Sequence, residues 1–397
     1  MKNYKNIIGR NSNLFKDDIN ANKEILCEII ESSKFLILGG SGSIGQAVTK
    51  EIFKRNPLKI HVVDINENTL TELVRDIRSS FGYIDGEFKT FCIDIGSEEY
   101  SSFIDSNGGY DFILNLSALK HVRSEKDPFT LMRMIKVNIF NTIKTIEQSI
   151  NKSSSKYFCV STDKAANPVN MMGASKRIME MFLMEYGKSI SISTARFANV
   201  AFSDGSLMHS FNQRIAKKQP IVAPNDIKRY FITPEESGEL CIMSCLLGEN
   251  KDIFFPKLAE KLNLIPFSEI AIRYLNELGY DPLICDSEDE ARELSSKISE
   301  NNRFWPCLFT ESDTSGEKDF EEFYIEGEEL DLKRYLNIGI VKNNSVSPKE
   351  ALDKFINDVN RLANKKTWKR NDLIEIFNDI LPNFKHKDTG KFLDDKM

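Results

Sequence analysis

A glycine-rich turn between an apolar strand and a helix is the feature that most constrains the fold of this chain. The apolar run Lys34–Leu38 leads into GGSGSIG at residues 39–45, and a helix with Ile44, Val48 and Ile52 on one face follows. In such a unit the first glycine permits the tight turn, the second lets the backbone approach a ligand, and the third lets helix and strand pack closely. Because a helix N-terminus favours negative charge, the turn predicts a dinucleotide site, here with the spacing GxxGxxG.

The predicted cofactor contacts lie in this turn and at the ends of the strands that follow it. They are Gly39, Gly42, Ser43, Ile44, Gly45, Asp64, Asp94, Ile95, Ser117 and Ala118. A carboxylate at Asp64, where the second strand ends, can bind both ribose hydroxyls and would repel a 2′-phosphate. Since residues 65–67 add no basic side chain, the sequence predicts NAD in preference to NADP. Asp94-Ile95 could read the adenine edge, and the alternative for both aspartates is an ordinary turn position.

Strand and helix patterns alternate along the first half of the chain. The strands are predicted at 34–38, 59–64, 88–94, 111–115, 156–161 and 190–197, and the main helices between them at 67–79, 129–150 and 173–187. This order predicts an α/β fold with a doubly wound, mostly parallel sheet of the Rossmann type.

The alternation weakens after about residue 200, which suggests a second, smaller lobe. We predict a helical lead-in at 1–33 and a dinucleotide-binding domain at 34–200, to which 233–255 returns. Residues 201–232 and 256–397 are predicted to form a substrate-binding lobe with a C-terminal extension. This lobe should cover the carboxyl edge of the sheet, where doubly wound folds bind ligands.

Composition argues against several classes of function. The net charge of −6 offers no general surface for nucleic acid. No apolar run approaches the roughly 20 residues that a membrane span needs, and the polar first 22 residues do not resemble a signal peptide. The seven cysteines are scattered and the four histidines do not cluster, so no metal site is predicted. These features predict a reduced, cytoplasmic protein without a membrane partner.

Four polar segments follow predicted strands and are candidates for a reaction site. They are NLSALKHV at 115–122, STDK at 161–164, MGASK at 172–176 and RFANV at 196–200. Asp163 and Lys164 are adjacent and of opposite type, which suits a general acid working beside a general base. The alternative for this pair is a solvated turn.

Together with the glycine turn, these segments resemble the extended short-chain dehydrogenase/reductase superfamily. Within it they are similar to the nucleotide-sugar 4,6-dehydratases of bacterial glycan pathways, typified by UDP-N-acetylglucosamine 4,6-dehydratase. The most specific match is STDKAANPVNMMGASK at 161–176, and the resemblance covers about residues 5–260. Residues 305–318 resemble members proposed for legionaminic acid synthesis, which use a GDP-linked sugar. The resemblance implies UDP- or GDP-linked N-acetylglucosamine as substrate and a homo-oligomeric assembly.

One position departs from the usual pattern of the superfamily. A tyrosine normally stands four residues before the active-site lysine, but here Met172 precedes Lys176. A thioether has no acidic proton, so Met172 cannot serve as an acid or a base. The capsular-polysaccharide branch of the dehydratases is similar to this chain in having methionine there. That likeness implies that the configuration at C5 of the sugar is retained.

The resemblance also implies the reaction and the roles of the residues. The sugar is oxidised at C4, loses water across C5 and C6, and is reduced at C6. Asp163 is then the acid at O6 and Lys164 the base at C5, while Thr162 accepts or relays the proton of the C4 hydroxyl. For these roles the pKa of Lys164 must fall through burial or nearby positive charge, and that of Asp163 must rise in an apolar pocket. Lys176 would hold the nicotinamide ribose.

Three further residues are candidates for binding the substrate. Lys120 follows the fourth strand, and Asn199 and Arg229 resemble positions that contact the diphosphate or the base. Asn138 resembles an asparagine that supports the helix and the active-site loop. For each substrate candidate the alternative is a purely structural role. For the whole chain the alternatives are a 4-epimerase, a C5-inverting dehydratase, and a non-catalytic NAD-binding protein.

Overall fold

The computed structural model describes residues 4–257, 264–299, 303–318, 321–343 and 348–391. Its strands are β1 Lys34–Leu38, β2 Lys59–Asp64, β3 Glu87–Cys92, β4 Phe112–Asn115, β5 Lys156–Thr162, β6 Ser191–Phe197, β7 Asn199–Val200, β8 Ile221–Pro224, β9 Lys228–Arg229, β10 Phe231–Ile232, β11 Asp252–Pro256, β12 Ile265–Pro266, β13 Asp281–Ile284, β14 Phe304–Thr310, β15 Glu329–Asp331 and β16 Ile338–Lys342. Its helices are α1 Tyr4–Ile7, α2 Lys16–Ala21, α3 Lys23–Glu31, α4 Ser43–Phe53, α5 Glu67–Ser80, α6 Glu98–Asn107, α7 Pro128–Ile135, α8 Asn141–Asn151, α9 Met171–Tyr186, α10 Leu207–Ala216, α11 Pro234–Leu247, α12 Phe267–Glu277, α13 Glu288–Ser296, α14 Lys349–Asn364 and α15 Arg370–Ile380.

A nine-stranded sheet forms the centre of the molecule, in the order β15-β16-β11-β6-β5-β4-β1-β2-β3. The strands from β11 to β3 are parallel, and β16 runs antiparallel to both β11 and β15. Central strands such as β5 are buried along almost their whole length, as parallel strands covered on both faces require. This confirms the prediction of an α/β fold with a doubly wound, mostly parallel sheet.

The chain changes direction across the sheet between β1 and β4. From β1 it proceeds outward to β2 and β3, and it then returns to β4 on the other side. Leu38, Val63 and Asn115 lie level with one another across β2, β1 and β4, so the carboxyl ends of these strands open at one edge. A crevice at such a switch point is where doubly wound sheets bind ligands.

The C-terminal part of the chain corrects the predicted lobe boundary. Residues 256–397 were expected in the lobe and its extension, but β15 and β16 complete the central sheet. The helices α14 and α15 also pack on the main core, where Phe355 contacts both Phe182 and Phe377. The strand β16 is only five residues long and follows an acidic stretch. Its pattern of apolar residues therefore did not predict a strand that pairs with β11.

A smaller second core lies beside the sheet. It draws on α1, α10 and α12 and on the three-stranded sheet β13-β14-β8. Trp305 is fully buried there, packs on Tyr280, and donates its indole N–H to the carbonyl of Gln219. Within the described ranges no helix is both long and apolar enough to cross a bilayer.

Candidate active site

The three glycines of the GxxGxxG motif, Gly39, Gly42 and Gly45, have different steric surroundings. Gly39 has a φ of +72°, and a Cβ there would lie 2.6 Å from the backbone nitrogen of Ser117. A Cβ at Gly45 would overlap the carbonyl oxygen of Gly39, so both glycines are needed for the fold itself. At Gly42 the nearest atom to an added Cβ is that same oxygen, at an ordinary 3.6 Å. Gly42 therefore leaves room on the side where a ligand would approach α4.

The end of β2 brings Asp64 to this turn. Its carboxylate accepts hydrogen bonds from the backbone N–H of Ser41 at 3.0 Å and of Asn66 at 3.1 Å. A cavity of about 240 Å³ opens beside it. Its walls include the predicted cofactor residues Gly39, Gly42, Asp64, Asp94, Ile95, Ser117 and Ala118. The glycine cradle, the strand-end acid and this cavity together fit a dinucleotide.

A larger cavity of about 560 Å³ adjoins the first and has the size of a small-molecule site. It is lined by residues of the turn and by most of the predicted reaction residues. These are Gly39, Gly42, Ser43, Ile44, Gly45, Lys120, Thr162, Lys164, Met172, Lys176 and Asn199. The fold thus brings the cofactor turn and the end of β5 to one cavity.

The predicted acid and base lie where β5 ends. β5 stops at Thr162, and Asp163 and Lys164 form a short 3₁₀ turn. The Thr162 hydroxyl donates to Asp163 Oδ1 at 2.9 Å, and Lys164 Nζ donates to the same oxygen at 3.3 Å. Asp163 is buried among these polar partners, and its surroundings are not the apolar pocket that was expected.

The charge environment of Lys164 also differs from the expectation. Burial opposes the charged form, but the carboxylates of Asp163 and Glu321 outweigh it and raise the pKa of Lys164. The prediction that this pKa falls is therefore wrong for the resting site. The reason is a second acid from a distant part of the chain, which the local sequence around Lys164 does not reveal.

Glu321 is the residue that the sequence interpretation missed. We call residues 317–328, described except for 319–320, the acid segment. Glu321 Oε1 lies 3.5 Å from Lys164 Nζ and 3.9 Å from the Arg229 guanidinium. Its side chain is 2% exposed, and burial raises the pKa of its carboxyl group. In sequence the segment is rich in acids, and the apolar and aromatic residues among them, Phe320, Phe323, Tyr324 and Ile325, are the sign that part of it could be buried.

Arg229, expected at the substrate diphosphate, holds the acid segment. Its guanidinium donates to the carbonyl oxygens of Lys228 at 2.8 Å and Lys318 at 2.9 Å, and to Glu317 Oε2 at 2.5 Å. The arginine is almost wholly buried. Its observed contacts are therefore those of a residue that positions the acid segment.

A second arginine fixes the other end of the acid segment. Arg196, on β6, is fully buried and donates to both carboxylate oxygens of Glu180 and of Glu328. It also donates to the carbonyl oxygen of Phe323 at 2.8 Å. Because the guanidinium is fully buried and pairs with a carboxylate of α9 and with one of the acid segment, this contact should hold the segment firmly against the sheet.

The first turns of α9 carry Met172 and Lys176 into the large cavity. Lys176 Nζ donates to the carbonyl oxygen of Val160 at 3.0 Å, and burial lowers the pKa of this lysine. Met172 lies one helical turn earlier and is almost wholly buried. The two residues thus stand together where the superfamily pattern has its tyrosine and lysine.

Asn138 joins the loop after β4 to α9. Its side chain accepts from the Leu119 N–H at 2.9 Å and donates to the Leu119 carbonyl at 3.0 Å and to the Ser175 hydroxyl at 3.0 Å. It lies in the π-helical turn Lys136–Phe140 between α7 and α8, which interrupts the single helix predicted at 129–150. These hydrogen bonds connect the loop to the helix, as the predicted supporting role of Asn138 requires.

Lys120 and Asn199 form a wall between the large cavity and a further one of about 300 Å³. Lys120 Nζ donates to the Ser203 hydroxyl at 3.5 Å, and burial lowers its pKa. The Asn199 amide nitrogen is buried and has no hydrogen-bond acceptor among the described residues. The smaller cavity is lined beyond them by Phe231, Phe267, Thr314, Ser315, Glu317 and Lys391, among others.

Several curated proteins are similar to this chain. An uncharacterized membrane protein of Methanocaldococcus jannaschii is 29% identical over 81% of this chain and 92% of its own length. The capsular polysaccharide biosynthesis protein CapD of Staphylococcus aureus is 26% identical over 66% of this chain, which spans only 44% of CapD. A UDP-glucose 4-epimerase of Rickettsia typhi is 28% identical over 65% of this chain and 79% of the epimerase.

Solved structures share the fold at lower identity. Pen from Bacillus thuringiensis has a TM-score of 0.65 and 19% identity, covering 83% of this chain and 98% of Pen. DesIV, a dTDP-glucose 4,6-dehydratase of Streptomyces venezuelae, has a TM-score of 0.55 and 14% identity, covering 73% of this chain and 88% of DesIV. The sequence profile of the polysaccharide biosynthesis protein family matches residues 35–342, and the chain therefore belongs to that family.

Proposed function

We propose that this protein is a nucleotide-sugar 4,6-dehydratase that converts UDP- or GDP-linked N-acetylglucosamine to the 4-keto-6-deoxy sugar with C5 retained. The observation that carries the proposal is the single cavity shared by the glycine turn and by Thr162 and Lys164. Membership of the polysaccharide biosynthesis family and a fold like that of DesIV support it. The product would serve bacterial glycan synthesis, including nonulosonic acids such as legionaminic acid.

NAD bound at the turn would supply the oxidation at C4 and the later reduction at C6. Gly42 and the first turn of α4 would hold the diphosphate, and Asp64 the adenosine ribose. Lys176 lines the same cavity as the glycine turn and would hold the nicotinamide ribose there. Because the hydride taken from C4 in the first step is needed again for the reduction at C6, the site should keep the same cofactor throughout a cycle.

Thr162 and Asp163 form a proton relay for the two oxygens of the sugar. The Thr162 hydroxyl is already hydrogen-bonded to Asp163 Oδ1, so the proton of O4 can pass through Thr162 to the carboxylate. Asp163 then gives that proton to O6 as the C6–O6 bond breaks and water leaves. The proton taken from O4 is the one that departs in water, so Asp163 ends the cycle as it began.

Lys164 serves as the base at C5. Its amine would take the C5 proton, which the C4 ketone makes acidic, and would return it to the same face after water has left. Return to the same face retains the configuration at C5. Met172 contributes no proton, so these transfers rest on the Thr162-Asp163-Lys164 run.

The cavity beyond Lys120 and Asn199 is the proposed place of the substrate nucleotide. Lys120 supplies positive charge for a diphosphate. The Asn199 amide nitrogen, which has no acceptor among the described residues, is a donor for a substrate oxygen. Thr314 and Ser315, from the segment that resembles the GDP-sugar enzymes, line this cavity. They are the positions where uracil and guanine would be distinguished.

The test is incubation of the purified protein with UDP-N-acetylglucosamine and, separately, with GDP-N-acetylglucosamine, followed by mass spectrometry. We expect one of them to lose one water without added NAD. An isomer of unchanged mass would favour a 4-epimerase, as the similarity to the Rickettsia enzymes allows. Tight NAD binding with no reaction of either sugar would favour a non-catalytic NAD-binding protein.

A further inference from the structure

We propose that Glu321 takes the ammonium proton of Lys164 and thereby converts the lysine into a base. The inference rests on the proposed dehydratase reaction and adds a residue that the sequence interpretation did not contain. Glu321 acts through Lys164, so it is a positioning residue that holds a proton and does not itself touch the sugar.

The need for such a residue follows from the surroundings of Lys164. Two carboxylates hold the lysine in its charged form, whereas removal of a proton from C5 requires the neutral amine. The Lys164 side chain is only 18% exposed, so exchange with bulk water is restricted. A neighbouring group that can take the proton would supply the neutral amine inside the closed site.

Of the two neighbouring carboxylates, Glu321 is the better acceptor. Asp163 already accepts from the Thr162 hydroxyl and is needed for the protons of O4 and O6. Glu321 Oε1 lies 3.5 Å from Lys164 Nζ, and a small movement of the long Lys164 side chain would make this a hydrogen bond. Burial raises the pKa of Glu321, which brings its proton affinity closer to that of the lysine.

The second oxygen of Glu321 points to the same conclusion. Oε2 is buried and accepts no hydrogen bond from any residue in the described part of the chain; Lys318 Nζ is 3.8 Å away. A buried carboxylate oxygen without a hydrogen bond is costly, and protonation of the group relieves that cost. This geometry therefore favours a carboxyl that holds a proton for part of the cycle.

The charges around the pair are balanced. The other charged groups that face it are Asp163 and Glu317, which are negative, and Arg229 and Lys318, which are positive. When the proton moves, the Nζ–H bond breaks, the Oε1–H bond forms, and an ion pair becomes two neutral groups. The net charge of the cluster does not change, so the transfer needs no ion from solution.

The acid segment is held well enough for this role. Arg196 binds Glu328 and the Phe323 carbonyl, and Arg229 binds Glu317 and the Lys318 carbonyl. Glu321 lies between these anchors, so its carboxyl group has a fixed place beside Lys164. The pair is therefore built into the fold.

The pH dependence of product formation tests the proposal. In the wild type one proton is shared by the pair, so the fraction of neutral Lys164 depends on the two proton affinities and not on solution pH. Product formation should stay level from about pH 7 to about pH 9. In Glu321→Gln the lysine proton can leave only to solution, so the rate should rise about tenfold per pH unit until the lysine titrates.

Two variants separate this effect from a loss of structure. Glu321→Asp keeps a carboxylate and should keep the level profile, even where its rate is lower. Glu322→Gln makes the same change on the adjacent, 45% exposed residue and should match the wild type in rate and profile. Melting temperature and NAD content, measured for each protein, report whether the fold and the cofactor site are intact.

A level profile in Glu321→Gln would overturn the role of Glu321, and so would a wild-type rate that itself rises about tenfold per pH unit. Neither result would contradict the dehydratase proposal, provided that the wild type still removes water from the sugar. Absence of water loss in the wild type, in contrast, would overturn the proposed function.

Discussion

The two sides of the large cavity are built in different ways. Most of the cofactor side comes from one continuous stretch, in which β1, the glycine turn, α4 and β2 follow each other between residues 34 and 64. Asp94, Ile95, Ser117 and Ala118 add to it after the next two strands. The reaction side combines the end of β5, the start of α9, the loop after β4 and the acid segment, which are far apart in sequence. The first side is a local backbone structure, while the second is an assembly whose charges depend on distant partners.

The largest expected effect is on the reaction side. Lys164→Met should lower water loss about thousandfold, because the base at C5 is removed, while the bound NAD stays at one per chain. Product formation and the NAD content of the purified variant are the two measurements. If the variant turned over like the wild type, Lys164 would have no place in the mechanism.

The next effect isolates the cofactor side. Gly42→Ala should weaken NAD retention about hundredfold, because its methyl group would occupy space beside the diphosphate. Its melting temperature without NAD should match the wild type, since the nearest atom to the added Cβ is 3.6 Å away. Gly45→Ala is the contrasting variant, and its overlap with the Gly39 carbonyl should lower the melting temperature as well. Equal NAD affinity in Gly42→Ala and wild type would show that the NAD diphosphate does not lie beside Gly42.

A smaller effect tests the choice of cofactor. Asp64→Asn should weaken NAD binding about tenfold and should improve NADP binding relative to NAD, since the charge that repels a 2′-phosphate is gone. The same change at Asp94, on the next strand end, should cost only about threefold. Titration of the cofactor-free proteins with each dinucleotide gives both values. An unchanged NAD to NADP preference in Asp64→Asn would contradict the assignment of the ribose contact.

The smallest effect concerns the wall next to the nucleotide cavity. Asn199→Ala should raise KM for the nucleotide sugar about fivefold, because one hydrogen bond to the substrate is lost. Melting temperature and NAD content should not change, since the amide nitrogen has no acceptor among the described residues. A lower melting temperature with an unaltered KM would make Asn199 a structural residue.

The sequence predicted the strand, turn and helix around the glycines because their determinants are local. The apolar run of β1, the spacing of Gly39, Gly42 and Gly45, and an acid where β2 ends are all visible within one short stretch. Asp163 and Lys164 were also found, because they directly follow a strand that can be recognised.

What the sequence did not reveal depends on contacts between distant segments. The charge of Lys164 is set partly by Glu321, whose segment looks solvated until Arg196 and Arg229 are seen to hold it. The strand β16 was missed because its place is decided by pairing with β11 and not by its own pattern. The homo-oligomeric state and the cytoplasmic location stay predictions.

The central claim is that the cofactor site and the Thr162-Asp163-Lys164 run carry out one dehydration within one active site. The most direct test uses nucleotide-linked N-acetylglucosamine with deuterium at C4, added to the purified protein without free NAD. The proposed reaction predicts a product that lacks one water and carries the deuterium at C6. A sugar of unchanged mass with deuterium still at C4, whether or not the configuration there has inverted, would contradict it.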